Sequence, residues 1–165
     1  VCGIEAARFA VLAGNFMDAG AASALGLITH LVGASDVTAT VREISSGGKP
    51  ANKYPGGPSD PSHPVAAMSK AFYSDSNMGA ILSGEAPEGF DPEDRNVARQ
   101  LKSLSRAAPV SVRLASDLLD KALVTDLEAG LQLELDALES IFATKDAREG
   151  LSALVEGRRP EYTGS

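Results

Sequence analysis

Two histidines, His30 and His63, are the first candidates for acid–base chemistry, because imidazole changes charge near neutral pH. His30 lies in the apolar run Leu27-Ile28-Thr29-His30-Leu31-Val32, and His63 in Ser62-His63-Pro64. Neither has a Ser or Cys nucleophile motif beside it, nor a second His at metal-ligand spacing. Both read as core-edge or surface residues. Of the carboxylates Glu128, Glu134, Asp136, Glu139, Asp146 and Glu149, most fall between leucines at helical spacing, where a solvated face is expected, and Asp146 reads as a first-turn acid favoured by the helix dipole. A paired acid–base site among them is the alternative. Ser46-Gly47-Gly48-Lys49 and Gly56-Gly57 fit neither the phosphate-loop nor the dinucleotide fingerprint, and read as connectors. One cationic cluster remains: Arg158-Arg159 just past Gly157, with Lys145 and Arg148 close in sequence. Such arginines either compensate a helix C-terminus or contact a phosphate of an anionic cofactor tail. No catalytic residue and no metal ligand set emerges from these types and spacings.

The elements that would carry these side chains are mostly helical. Ile4, Ala7, Phe9 and Val11 begin a helix ending at Gly14. Asp18 can cap an Ala-rich helix ending at Gly26. The run 27–32 is the best strand candidate in the chain. Ser35 or Asp36 can cap a third helix carrying Val37, Val41 and Ile44. Ser46-Gly47-Gly48-Lys49-Pro50 and Tyr54-Pro55-Gly56-Gly57-Pro58 are loop chemistry. Ser62-His63-Pro64 is a helix entry, with Val65, Met68 and Phe72 on one face. A shorter helical piece near Asn77 to Leu82 ends at Gly84. Asp91-Pro92-Glu93-Asp94 reads as a helix start with cap, first-turn Pro and acids. Pro109 opens a helix with Val112, Ala115, Leu118, Leu119 and Leu123. Thr125-Asp126-Leu127-Glu128 has the capping-box pattern. The helix it opens carries two stripes: Leu127, Leu131, Leu135, Leu138 and Phe142, then Leu133, Ala137 and Ile141. Two stripes predict burial on two sides. Thr144 caps a last helix, which stops at Gly157.

Composition narrows the function classes. The 165 residues are enough for a real core, and aromatics are only 5%, with no Trp. Net charge is −7, and no Lys/Arg run exceeds two residues, which argues against nucleic-acid or anionic-membrane surfaces. Cys2 is alone, so there is no internal disulfide and no Cys-based zinc site, as expected in a reducing cytoplasm. No apolar run approaches a membrane span of ~20 residues. No basic-then-apolar leader is visible, and a start at Val1 reads as a cut or processed one.

Two stretches resemble the C-terminal third of the enoyl-CoA hydratase/isomerase (crotonase) superfamily. The first is Gly3-Ile4-Glu5-Ala6-Ala7-Arg8-Phe9-Ala10-Val11-Leu12-Ala13-Gly14, followed by Asp18-Ala19, Ala22 and Gly26-Leu27-Ile28. The second runs from Leu138 to Pro160 and is similar to the family's closing signature F-x-T-x-D-x-x-E-G-x-x-A-F-x-E-x-R-x-P, with Leu154 where Phe is usual. Pro109 to Phe142 fits the family's penultimate helices. The stretch from Gly47 to about Ala108 looks like the longer hydratase-type domain fused behind an NAD-dependent 3-hydroxyacyl-CoA dehydrogenase.

The resemblance implies a mainly α chain, the helical C-terminal part of a crotonase-like fold. Residues 1–46 would end the crotonase-like core, 47–108 would be a loop-rich helical insert, and 109–165 the C-terminal helices for lid and oligomer contacts. In the family, the oxyanion-hole amides and both catalytic glutamates lie in earlier segments that nothing here matches, so hydration by these residues alone is not expected. Leu138 and Phe142 fall where relatives line the adenine or acyl region. The family's basic residue for a CoA phosphate aligns with Gly157, and Arg158 is the nearest substitute. The implied partners are an acyl-CoA thioester, an N-terminal catalytic half and further copies in a trimer or hexamer. No cofactor is expected on this segment itself, and NAD would belong to a fused dehydrogenase. The implied location is cytoplasmic. The alternative is a self-contained helical binding module, with the doubly striped helix as its groove.

Overall fold

The computed structural model describes residues 2–14, 16–50 and 60–165. The Pro/Gly loop read at 54–58 lies outside them, as does the start at residue 1. The described residues form nine α-helices and no strand: α1 (Ile4–Leu12), α2 (Ala19–Ala24), α3 (Val37–Ser45), α4 (Pro64–Phe72), α5 (Met78–Leu82), α6 (Arg95–Leu104), α7 (Pro109–Ala122), α8 (Leu127–Phe142) and α9 (Lys145–Glu156). Short 3-10 turns precede α3 and α5. No helix among them is long and apolar enough to cross a membrane.

Local chemistry sets most helix starts. Asp18 accepts the Ala21 N–H at 2.8 Å, and Thr144 accepts that of Ala147 at 3.0 Å. Each such cap stabilises its helix by about 1 kcal/mol. Pro64 and Pro109 occupy first-turn positions, where a missing N–H costs nothing. His63 is itself a cap: its Nδ1 accepts the Val65 N–H at 3.3 Å. Gly157 ends α9 in the left-handed conformation, φ 68°, which an L side chain resists.

Three local expectations give way. α6 starts at Arg95, because Asp91 instead closes a turn by accepting the Glu93 N–H, and Asp94 becomes the cap. α8 is capped by Asp126, which accepts from Ala129, while the Thr125 hydroxyl turns back to the Lys121 carbonyl. The expected Thr125–Glu128 box therefore does not form. The run 27–32 is irregular rather than a strand. The ring of His30 instead bridges the Thr29 hydroxyl and the Pro50 carbonyl.

The core sits where α1 meets α4 and α7, with α5 and α6 closing round it. Phe72 and Tyr73 at the end of α4 are completely buried. Their rings meet edge to face at 5.1 Å, and Phe9 and Phe90 extend the cluster in the same geometry. The buried Tyr73 hydroxyl donates to Gln100 Oε1 at 3.0 Å, so its polar atom is satisfied. Burial also pushes the phenol pKa up, keeping it neutral.

Arg8 fastens three helices together. Its guanidinium, though in the apolar α1, is only 3% exposed. Nη1 donates to the Tyr73 carbonyl at 3.1 Å and to Asp75 at 2.6 Å, and Nη2 to Asp120 of α7 at 2.7 Å. A buried charge is tolerable only when partnered in this way.

Candidate functional site

α7 and α8 fold back on each other through a short turn and leave an open groove of about 390 Å³ between them. Small residues on both helices, Ala115 and Ala122 on α7 and Ala137 on α8, keep the floor shallow. Leu114, Leu118, Leu138 and Ile141 form the walls, and Val11 of α1 also lines it. Glu134 is the one ionisable lining residue. Apart from Glu134, every lining residue is apolar or a serine. The groove is therefore mostly apolar.

The two stripes of α8 separate here. Leu133, Ala137 and Ile141 are half-buried towards the rest of the fold. Leu127, Leu131, Leu135, Leu138 and Phe142 are exposed, Leu127 at 81% and Phe142 at 64%. Within this chain, burial thus occurs on one side of the helix, and the outer stripe is left open. The apolar residues of α3, Val37, Val41 and Ile44, are exposed as well. Both faces carry the spacing of residues made to be covered.

Of the three acyl-CoA contact candidates, the groove takes in Leu138. Phe142 is one helical turn further on, and exposed. Arg158 is elsewhere and already engaged. Its Nη1 and Nη2 hold Glu149 at 2.5 and 2.9 Å, and its Nε holds Glu156 at 2.6 Å. A guanidinium clasping two carboxylates has little left to offer a phosphate.

That clasp belongs to a larger arrangement that explains the closing motif. Past Gly157 the chain turns back along α9. Glu149 also accepts the Glu161 N–H at 2.8 Å. Asp146, only 2% exposed, accepts the Thr163 N–H at 2.7 Å and the Gly164 N–H at 2.8 Å. A Cβ at Gly150 would stand 3.1 Å from the Tyr162 hydroxyl, so glycine gives the tail its close approach. The spacing i, i+3, i+4 puts Asp146, Glu149 and Gly150 on one face of α9. The D-x-x-E-G pattern is thus a tail clamp, and these carboxylates are structural. The sequence reads Glu149 as part of a solvated face and Asp146 as a first-turn acid; their spacing is the signal for a shared partner.

The Arg158 hydrogen bonds hold the Glu149 pKa down, from 4.5 to about 2. A depressed carboxylate pKa stabilises the fold above the unfolded value, and that contribution is lost as pH falls through the folded one. Hydrogen exchange at the Glu161 amide, followed against pH, should therefore stay protected to about pH 4.5 and lose protection progressively towards pH 2. Loss complete by pH 4 would contradict the clasp.

No protein-family model matches the chain, and no solved structure matches it at a significant level. Curated relatives do. An enoyl-CoA hydratase/isomerase of Bacillus subtilis is 45% identical over 87 residues, 53% of this chain and 32% of that protein. A crotonyl-CoA hydratase of Syntrophomonas wolfei is 32% identical over 85 residues, 52% of this chain and 32% of its own length. An enoyl-CoA hydratase named as mitochondrial, from Arabidopsis thaliana, is 27% identical over 85 residues, 52% of the chain and 26% of the relative. Over that half, the chain is similar to proteins named as enoyl-CoA hydratases of the crotonase superfamily. The match spans about a third of the length of these relatives or less. The mainly helical fold fits the helical C-terminal part of a crotonase-like protein.

Proposed function

We propose that the protein carrying this segment acts on acyl-CoA thioesters as an enoyl-CoA hydratase, with these helices supplying a lid and subunit contacts rather than catalytic groups. The observation that carries the reading is the apolar α7–α8 groove, edged by an exposed leucine stripe, on a chain half of which matches hydratases. In this reading residues 1–46 end the catalytic core, 47–108 are an insert, and 109–165 form the lid. Leu138 faces the acyl group, and the outer stripe of α8 meets an N-terminal catalytic half or a second copy. A fused NAD-dependent 3-hydroxyacyl-CoA dehydrogenase is the finer form of the proposal. It predicts NADH formation when crotonyl-CoA and NAD+ are supplied together.

The test is crotonyl-CoA hydration by the intact protein. Leu138→Glu puts a charge into the groove and should raise KM about tenfold, with kcat changed much less, because burying an unpaired carboxylate costs well over 1 kcal/mol. The isolated segment should be inactive. Full turnover by these 165 residues alone would sink the reading. An intact protein without hydratase activity, but with a partner bound across α8, would favour the helical interaction module instead, for which the exposed stripe is the supporting observation.

A further inference from the structure

We propose that Arg106 and Arg159 form a binding site for the phosphate group of a small molecule. The tail that turns back along α9 passes the start of α7, where Gly164 lies against the ring of Pro109. Between tail and helix is a pocket of about 350 Å³, lined among others by Ser105, Arg106, Pro109, Arg159 and Tyr162. No carboxylate lines it. That is unusual for this chain, which has 22 acidic residues against 15 Lys and Arg. Arg8 and Arg158 each hold two carboxylates. Arg106 and Arg159, by contrast, line one pocket while their side chains make no ion pair among the described residues. Both residues are exposed, and an oxyanion seated in the pocket they line could accept charge-assisted hydrogen bonds from each.

Two further groups point the same way. α7 starts here with Ala108 as its N-cap, and no side chain caps its first turn. Its leading N–H groups and positive dipole end therefore add to the arginine field. Tyr162 lines the pocket as well, and its hydroxyl can donate to an anionic oxygen, whereas the Ser105 hydroxyl donates to the Lys102 carbonyl at 3.0 Å. The planar fork of arginine matches a phosphate's paired oxygens better than an ammonium does. The site does not depend on the acyl-CoA reading, since it would persist in a protein of any activity.

The experiment is calorimetric titration of the intact protein with inorganic phosphate and, separately, with adenosine 5′-diphosphate. Saturable phosphate binding with a dissociation constant of about 1 mM or tighter is expected. R106Q/R159Q should weaken it at least about tenfold, the loss of charge-assisted bonds from both arginines. Tighter binding of the nucleotide would identify an esterified phosphate as the ligand; equal or weaker binding would identify free phosphate. Because the double variant could disturb the tail, a second measurement uses the unaltered protein. Phosphate should slow phenylglyoxal modification of Arg106 and Arg159 relative to Arg42, read by mass spectrometry. Absence of saturable binding, undiminished binding by R106Q/R159Q in its folded form, or unprotected arginines would each overturn the proposal.

Discussion

Phe72→Ala should lower the unfolding free energy by about 3–5 kcal/mol, the cost of emptying a fully packed aromatic site. Phe72 is completely buried and sits at the junction of two edge-to-face contacts, with Tyr73 at 5.1 Å and Phe90 at 5.2 Å. Removing the ring takes away transferred surface and leaves a void that α4 and α5 are too constrained to refill. A typical domain has only about 5–15 kcal/mol of net stability, so this one change consumes a large part of it. Urea denaturation of the intact protein, followed by circular dichroism, checks the value. Tyr73→Phe is the companion measurement. It keeps the ring and removes only the hydroxyl that meets Gln100, so about 1 kcal/mol is expected. Equal losses from the two variants would show that the aromatic cluster is not the centre of the core.

Asp146→Ala should free the C-terminal tail and cost about 2–4 kcal/mol, because it leaves the Thr163 and Gly164 N–H groups without their acceptor. Asp146→Asn should cost less. Its amide oxygen can keep one of the two bonds, while its NH2 would face the other donor. The readout is amide hydrogen exchange at 163 and 164, with carboxypeptidase digestion as a second probe. In the altered protein these amides should exchange at the rate of an open chain, and digestion should run back towards Gly157. Unchanged protection would mean that the tail is held by Glu149 and Arg158 alone.

These two predictions rest on different kinds of legibility. The α9 clamp was visible in part. Thr144 and Gly157 announce the ends of that helix, and the closing signature was recognisable as a family pattern. Its physical meaning was not, because the partners of Asp146 are backbone groups 17 and 18 residues away. The aromatic core was less legible still. Phe72 reads as one member of a helical face, but nothing local says that Phe9 meets Tyr73, residues far apart in the chain. The candidate site divides in the same way. Leu138 was named and does line the groove. Arg158 was named as a phosphate contact, yet the fold gives it to Glu149 and Glu156.

By itself the sequence determined helix type and most helix boundaries, since caps, prolines and apolar spacing act within a few residues of where they are written. It also carried the family likeness, because a signature is local by definition. Tertiary structure decided what those helices do to one another. It chose the weaker stripe of α8 for packing and left the stronger one outside, since only the available neighbour determines which face is buried. It left 27–32 irregular, with the His30 ring held by the Thr29 hydroxyl and the Pro50 carbonyl. It buried Arg8 by supplying Asp75, Asp120 and the Tyr73 carbonyl from elsewhere in the chain. In each case the deciding interaction joins residues distant in sequence, and no spacing rule within one segment records it.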